Sequence, residues 1–525
     1  GQLAEAKDKL VLYPGNELDR DFIILPRIGE FASTITWDTS NSDVINLNGN
    51  VTRSDTEDQD VTMTATLTIE DQTITKEIII TVKSTVDEYH PDLITTFDLR
   101  ILDTIEVENK IELLAAILNA EPGDAIILKD GRYSDVNVLL ETSGTKEHPI
   151  FIFAENPGEV SIEGESTIRA EADYVIIANL LFQNGHPTQD KGAIIFEGSH
   201  SRLTNTKFNS FEHFAYDHKW VSLNGQYNEV DHNTLDGKST GGALLTVWRD
   251  DDSPQFHHIH HNHFSNYTDT GGANGYETIR LGTSHQSQSD SYIIIEDNLF
   301  ENISGEIEII SVKSGRVVLR RNTIINSKGM FTFRHGKNNL AEDNVFLTMG
   351  QQDAGGFRAY DGGHVIRNNY IEGIETSSNT RGGIVIHSGV NLPGTETTLN
   401  AQWTSFNMLI EGNTIVNGRQ SILFGGKYTH PTHYPELVNN FIVSPSYPVI
   451  RHDKLPVGDL YEGNYFYGVE FSGGGSQTVT TIPDGINYSS TIPTLTRNSA
   501  GLYLHETYGA QNLTVLTPED VGCNF

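Results

Sequence analysis

The chain has a single cysteine, Cys523, in 525 residues. That excludes an intramolecular disulfide framework and any zinc site built from several cysteines. Long apolar runs are missing as well, and none reaches the length of a membrane span. The opening residues lack the basic and apolar regions of a signal peptide. Positive charge is scarce: 35 Lys plus Arg stand against 70 Asp plus Glu, for a formal net charge of −35. Nucleic acid and anionic membranes need broad basic surfaces, so neither is an expected partner. A local basic cleft on an acidic protein still leaves room for an anionic substrate.

What is present falls into two parts. Residues 1–85 carry short β-forming runs separated by polar turns: "FIILPRIGEF", "STITWDTSN", "VINLNGNVTR", "VTMTATLTIED" and "TKEIIITVKS". This order resembles a bacterial immunoglobulin-like domain and implies a small β-sandwich with no catalytic group. Residues 86–525 form the second expected domain. In it a short phrase recurs: a few β-forming residues, an asparagine, then an apolar pair. The asparagines are Asn179, Asn233, Asn262, Asn298, Asn322, Asn344, Asn369, Asn413, Asn440 and Asn464. From Asn298 onward the steps are 24, 22, 25, 44, 27 and 24 residues. A recurring period of this size marks a solenoid, whose coils bury their apolar faces only by stacking. Leucine-rich repeats would need leucines at fixed spacing and a helix per turn, and both are missing. The expected fold is therefore all-β, a right-handed parallel β-helix behind a small immunoglobulin-like sandwich. A helix at about 110–120 would cap its open end, and the longer steps would hold inserted loops.

The stretch "GEIEIISVKSG", 305–315, carries the candidate chemistry. Glu306 and Glu308 are two apart and would share one face of a strand. Adjacent carboxylates repel unless a cation lies between them, and oxygen donors at this charge density favour calcium over zinc. Asn274, in "GGANGYETIRLG", would add a neutral oxygen from the preceding coil. Lys313 follows on the same strand. Arg334, in "MFTFRHG", would lie one coil later, with His335 beside it as a substrate contact. The histidine run His257, His258, His260, His261 and His263 would be split between the two faces of the wall. The acidic run Asp250–Asp252 reads as a solvated loop.

Together, "NGYETIRLGTS", "NLFENISGEIEIISVKSG", "RRNTIINSKGMFTFRHG" and "GGFRAYDGGHVIRNNYIEG" resemble the alginate lyase and chondroitinase B family of β-helical polysaccharide lyases, over roughly residues 90–520. The resemblance implies calcium ligands at Asn274, Glu306 and Glu308, a Brønsted base at Lys313 and a catalytic arginine at Arg334. It places a substrate contact at Arg358. It further implies a secreted or periplasmic enzyme, with its signal absent from this chain, acting on an anionic polysaccharide. Alginate is favoured because sulfate recognition would call for more basic residues than this chain has; dermatan sulfate is the alternative. A hydrolase would need two carboxyl groups in separate acid and base roles. A non-catalytic glycan-binding solenoid would not need Glu306, Glu308, Lys313 and Arg334 together.

Overall fold

The computed structural model of the protein describes residues 1–268 and 274–525. Its main body is a parallel β-helix with three sheets of 14, 12 and 14 strands. Strands in each sheet come from successive coils and pair in parallel. Most are only three residues long. A strand this short cannot stand alone, so stability comes from stacking, and one apolar column runs through the centre from Val107 to Phe471.

Polar stacking accompanies the apolar column. Nine of the ten asparagines picked from the repeat form one ladder, from Asn233 to Asn464. Each Nδ2 donates to the Oδ1 of the next asparagine at 2.9–3.1 Å. The ladder asparagines are buried, so the amides satisfy one another where water cannot. Asn179 is the exception: its Oδ1 accepts from Asn205, in a column one position earlier in the coil. The left-handed bend also sits one position earlier. His232, His261, Asp297, Arg321, Asp343 and Asn368 take φ between 52° and 58°, while the ladder residues that follow them do not.

The expected cap is the helix Lys110–Leu118, started by the Asn109 side chain, which accepts from the Glu112 amide at 3.1 Å. It buries Leu113, Ala116 and Ile117 against the first coil. The C-terminal segment runs back along the outside of the stack. Its backbone amides bond Thr414 at Ala510, Thr323 at Leu516, and Asn205 at Asn524.

In the front unit, strands Thr34–Thr39, Gln59–Ile69 and Gln72–Val82 form an antiparallel sheet, joined by the two-residue strand Glu17–Leu18. The runs at 22–31 and 44–53 contribute isolated bridges rather than strands. Pro26 interrupts the first run and an Asn-Gly turn the second. This unit shares a core with the β-helix. Tyr13 packs on Phe256 and Tyr292 with ring centroids 5.5 Å away, and Phe22 meets Ile294, Val318 and Leu340. Arg316 reaches back to donate to the carbonyls of Leu12 and Val11 at 2.8 Å.

Candidate active site

The 12-stranded sheet carries the site. On strand Glu308–Lys313, Ile310 and Val312 point into the core, opposite Ile279 and Leu281 on one side and Phe331 and Phe333 on the other. Strict alternation fails at both ends. The register slips between Glu308 and Ile310 and again between Val312 and Lys313. Bulges of this kind re-aim side chains. As a result Ile309 and Ile310 are both buried, and Ile307 lies outside with Met330, Val385 and Leu423. Glu306 precedes the strand rather than lying on it. Two glycines permit the close approach. A Cβ at Gly305 would lie 2.3 Å from the Tyr276 carbonyl. One at Gly329, which has φ +88°, would lie 2.5 Å from the Glu306 carbonyl.

One cleft of about 270 Å³ gathers Asn274, Glu306, Glu308, Lys313, Arg334 and His335, six of the seven candidates. Residues 271–273 of the Asn274 motif lie outside the described residues. The cleft also contains Glu277, Ile307 and Asn400, which the sequence reading did not select. Glu277 sits three residues after Asn274 and is 3 % exposed. Its carboxylate and those of Glu306 and Glu308 place one oxygen each within 4.8 Å of one another. Glu277 Oε2 is buried without a hydrogen-bond partner among the described residues. Asn400 arrives from the insertion between Asn369 and Asn413, anchored through Ser284 at 3.1 Å.

The electrostatics follow from this crowding. Burial, then the charges of Glu277 and Glu308, push Glu306 up to about 9, with Lys313 pulling the other way. His335 is 1 % exposed and both ring nitrogens lack partners among the described residues. Burial and the neighbouring Arg334 hold it down at about 3, so it is neutral. Arg334 lies over the Tyr360 ring at 5.3 Å and has one buried, unpartnered guanidinium nitrogen. Arg358 does not line the cleft. It stands behind Glu308, donating to its carboxylate at 3.1 Å and to the Tyr360 hydroxyl at 2.9 Å. Earlier on the same wall, Lys191, Lys219 and Arg280 surround the Trp248 ring at 5.4, 5.5 and 5.2 Å. Three cations around one aromatic ring form a basic patch on a chain otherwise short of positive charge.

Residues 107–440 match the family model of chondroitinase B, and residues 10–85 match that of an atrophied bacterial Ig domain. The chain belongs to the chondroitinase B family of β-helical polysaccharide lyases. Among solved structures it resembles the PL6 family alginate lyase AlyGC, with 30 % identity and a TM-score of 0.74 over 80 % of this chain. It spans 58 % of the length of that enzyme. A PL6 alginate lyase solved with a trisaccharide matches at 27 % identity and a TM-score of 0.70, over 82 % of this chain and 96 % of its own. A mannuronic acid specific family 6 lyase from human gut microbiota matches at 30 % identity and a TM-score of 0.60, covering 70 % of this chain and 87 % of its own. No curated protein matches the chain. The atrophied Ig match agrees with a front unit in which two of the five β-forming runs stay as isolated bridges.

Proposed function

We propose that this family member is an alginate lyase, cleaving a 4-linked uronate chain by β-elimination with the help of calcium. The observation that carries the reading is the cleft itself. Three converging carboxylates share it with a lysine, an arginine and a neutral histidine whose ring nitrogens have no partners among the described residues. A calcium ion fits the donor set: the ligands are hard oxygens, Glu277 Oε2 has no partner among the described residues, and burial together with mutual repulsion lifts Glu306 to about 9. Asn274, Glu306 and Glu308 would hold the ion, with Glu277 as a further carboxylate beside them. When bound, it would neutralise the substrate carboxylate and so lower the cost of placing further charge on it.

The remaining steps belong to side chains. Lys313 takes the C5 proton, which requires its amine to be unprotonated at the moment of transfer. Electrons from the C5–H bond form the C4–C5 double bond, and the C4–O bond breaks. Arg334 stabilises the charge that gathers on the substrate carboxylate and on the departing oxygen. Its high intrinsic pKa favours electrostatic help over proton donation. His335 remains neutral and offers ring nitrogens to sugar hydroxyls. Arg358 fixes the direction of Glu308 from behind. The patch of Lys191, Lys219 and Arg280 around Trp248 gives further uronate units an anion-binding platform along the same wall. The departing oxygen takes its proton from solvent, and the products are an unsaturated uronyl end and a new reducing end.

The test offers the chain alginate blocks and dermatan sulfate side by side while ultraviolet absorbance of the unsaturated product is followed. Absorbance should rise with alginate. A rise with dermatan sulfate alone would move the substrate assignment, and new reducing ends without absorbance would indicate hydrolysis.

A further inference from the structure

A second set of metal-ligand atoms lies on a different sheet from the cleft. Glu229, on strand Glu229–Asp231, pairs in register with His258 on strand His258–His260. The side chains of Glu229, His258 and His260 place one ligand atom each within 4.8 Å of one another. The two imidazoles have ring centroids 4.0 Å apart. His260 Nε2 lies 2.7 Å from Glu229 Oε1, and His258 Nε2 lies 2.8 Å from Glu296 Oε1. Splitting the histidine run between faces therefore holds only in part. His257 is fully buried and His263 belongs to another sheet, but His258 and His260 share one outer face.

We propose that Glu229, His258 and His260 form a binding site for a transition metal ion of the zinc class. The donor set differs in kind from the all-oxygen cleft. Two imidazoles and one carboxylate suit zinc and its neighbours, and leave a fourth position for water. The surroundings match what a ligating histidine requires. Glu296, fixed by Arg320 and Arg321, engages Nε2 of His258 and orients its ring. Glu229 is oriented from the opposite side by His90, whose Nε2 lies 2.8 and 2.9 Å from its two oxygens. Access is open, since the His258 side chain is 38 % exposed. Metal bonds of about 2.0–2.1 Å need the His260–Glu229 contact to widen by roughly 0.6 Å, within reach of side-chain motion.

His90 belongs to the segment joining the front unit to the β-helix. An ion on Glu229 would thus tighten this junction to the wall that the front unit covers through Phe22 and through Tyr13 packed on Phe256 and Tyr292. The expected consequence is a metal-dependent rise in thermal stability with turnover unchanged.

The experiment titrates Co²⁺ into the full chain, first stripped by chelator and then saturated with calcium to occupy the acidic cleft. Visible ligand-field bands report nitrogen ligation. One equivalent should bind with a dissociation constant of micromolar or tighter, raising the melting temperature. Affinity should fall at least tenfold in His258→Ala and in His260→Ala, with the far-ultraviolet dichroism and lyase turnover of wild type. His90→Ala, on an exposed residue that cannot endanger the fold, should weaken binding to a smaller degree. Absence of saturable binding to the wild type would overturn the assignment. So would equal binding by wild type and His258→Ala.

Discussion

Two acidic clusters on two walls of one β-helix are treated in opposite ways. On the wall facing the front unit, Asp231 accepts two hydrogen bonds from Arg202 at 2.7 Å, and Glu296 is held by Arg320, Arg321 and His258. Those partners outweigh burial and keep both carboxylates well below the usual range. On the site wall, Glu277, Glu306 and Glu308 converge, and the push goes upward, to about 9 at Glu306. The same residue type, half or fully buried on the same scaffold, is neutralised in one place and left over-charged in the other. Structural carboxylates come with their cations. The crowded carboxylates of the cleft are where we propose that calcium enters from outside.

The sharpest way to break this contrast is at Lys313. Lys313→Ala and Lys313→Arg should both lower turnover by roughly 10²-fold or more, the scale of losing general acid–base catalysis. Arginine keeps the charge but not a usable pKa, so oligosaccharide affinity should weaken far less in that variant. Near-native turnover of Lys313→Arg, measured at saturating calcium, would move the base to His335.

Stability should separate the two walls next. Asp231→Ala leaves Arg202 buried without its partner, and chemical denaturation should show a loss of about 3–5 kcal/mol. Glu306→Ala, which strands no buried arginine, should abolish turnover at ambient calcium yet leave the melting temperature within a few degrees of wild type. Comparable melting losses for both would erase the distinction. Asn344→Ala, which breaks the asparagine ladder between Asn322 and Asn369, should cost about 1–3 kcal/mol by the same denaturation measurement.

The smallest effect is in pH dependence. Glu306 has its pKa raised from 4.5 to about 9, so without metal the folded state holds a proton that the unfolded chain releases. Its contribution to stability is present below about 4.5 and is lost as pH rises toward 9. Chelated wild type should therefore lose melting temperature between pH 6 and pH 9 relative to Glu306→Gln. Calcium affinity should rise over the same interval, because binding must displace that proton. Identical melting profiles for the two chelated proteins would remove the crowded-carboxylate argument.

How much of this was legible in the sequence depended on how local each signal was. The asparagine period gave the solenoid because the ladder demands one amide per coil. Asn179 went astray because the left-handed position and the ladder position are adjacent, and asparagine suits both. Asn274, Glu306, Glu308, Lys313, Arg334 and His335 were selected from the sequence and share one cleft. Glu277 was not, since a glutamate in "YETIRL" reads as an ordinary strand residue until the next coil brings two more carboxylates against it. A third acid three residues after a proposed ligand was the available clue. Asn400 had none, because it lies in an insertion and meets the cleft only through tertiary folding. The bulges around Glu308–Lys313 were also hidden. Strict alternation would put Ile307 and Ile309 on one face, but Ile309 and Ile310 are the two that reach the core.

The front unit reads as separable in sequence, yet Phe256 and Tyr292 of the β-helix lie in its core. Removing residues 1–85 should therefore lower the melting temperature of the β-helix while its transition remains cooperative.

The central claim is that the unbalanced carboxylates of the cleft serve an elimination reaction. Its most direct test is turnover of alginate by metal-stripped protein, followed through the ultraviolet absorbance of the unsaturated product, before and after calcium is restored. Absorbance should stay flat without calcium and climb once it is added. Full turnover in protein verified to be metal-free would contradict the account.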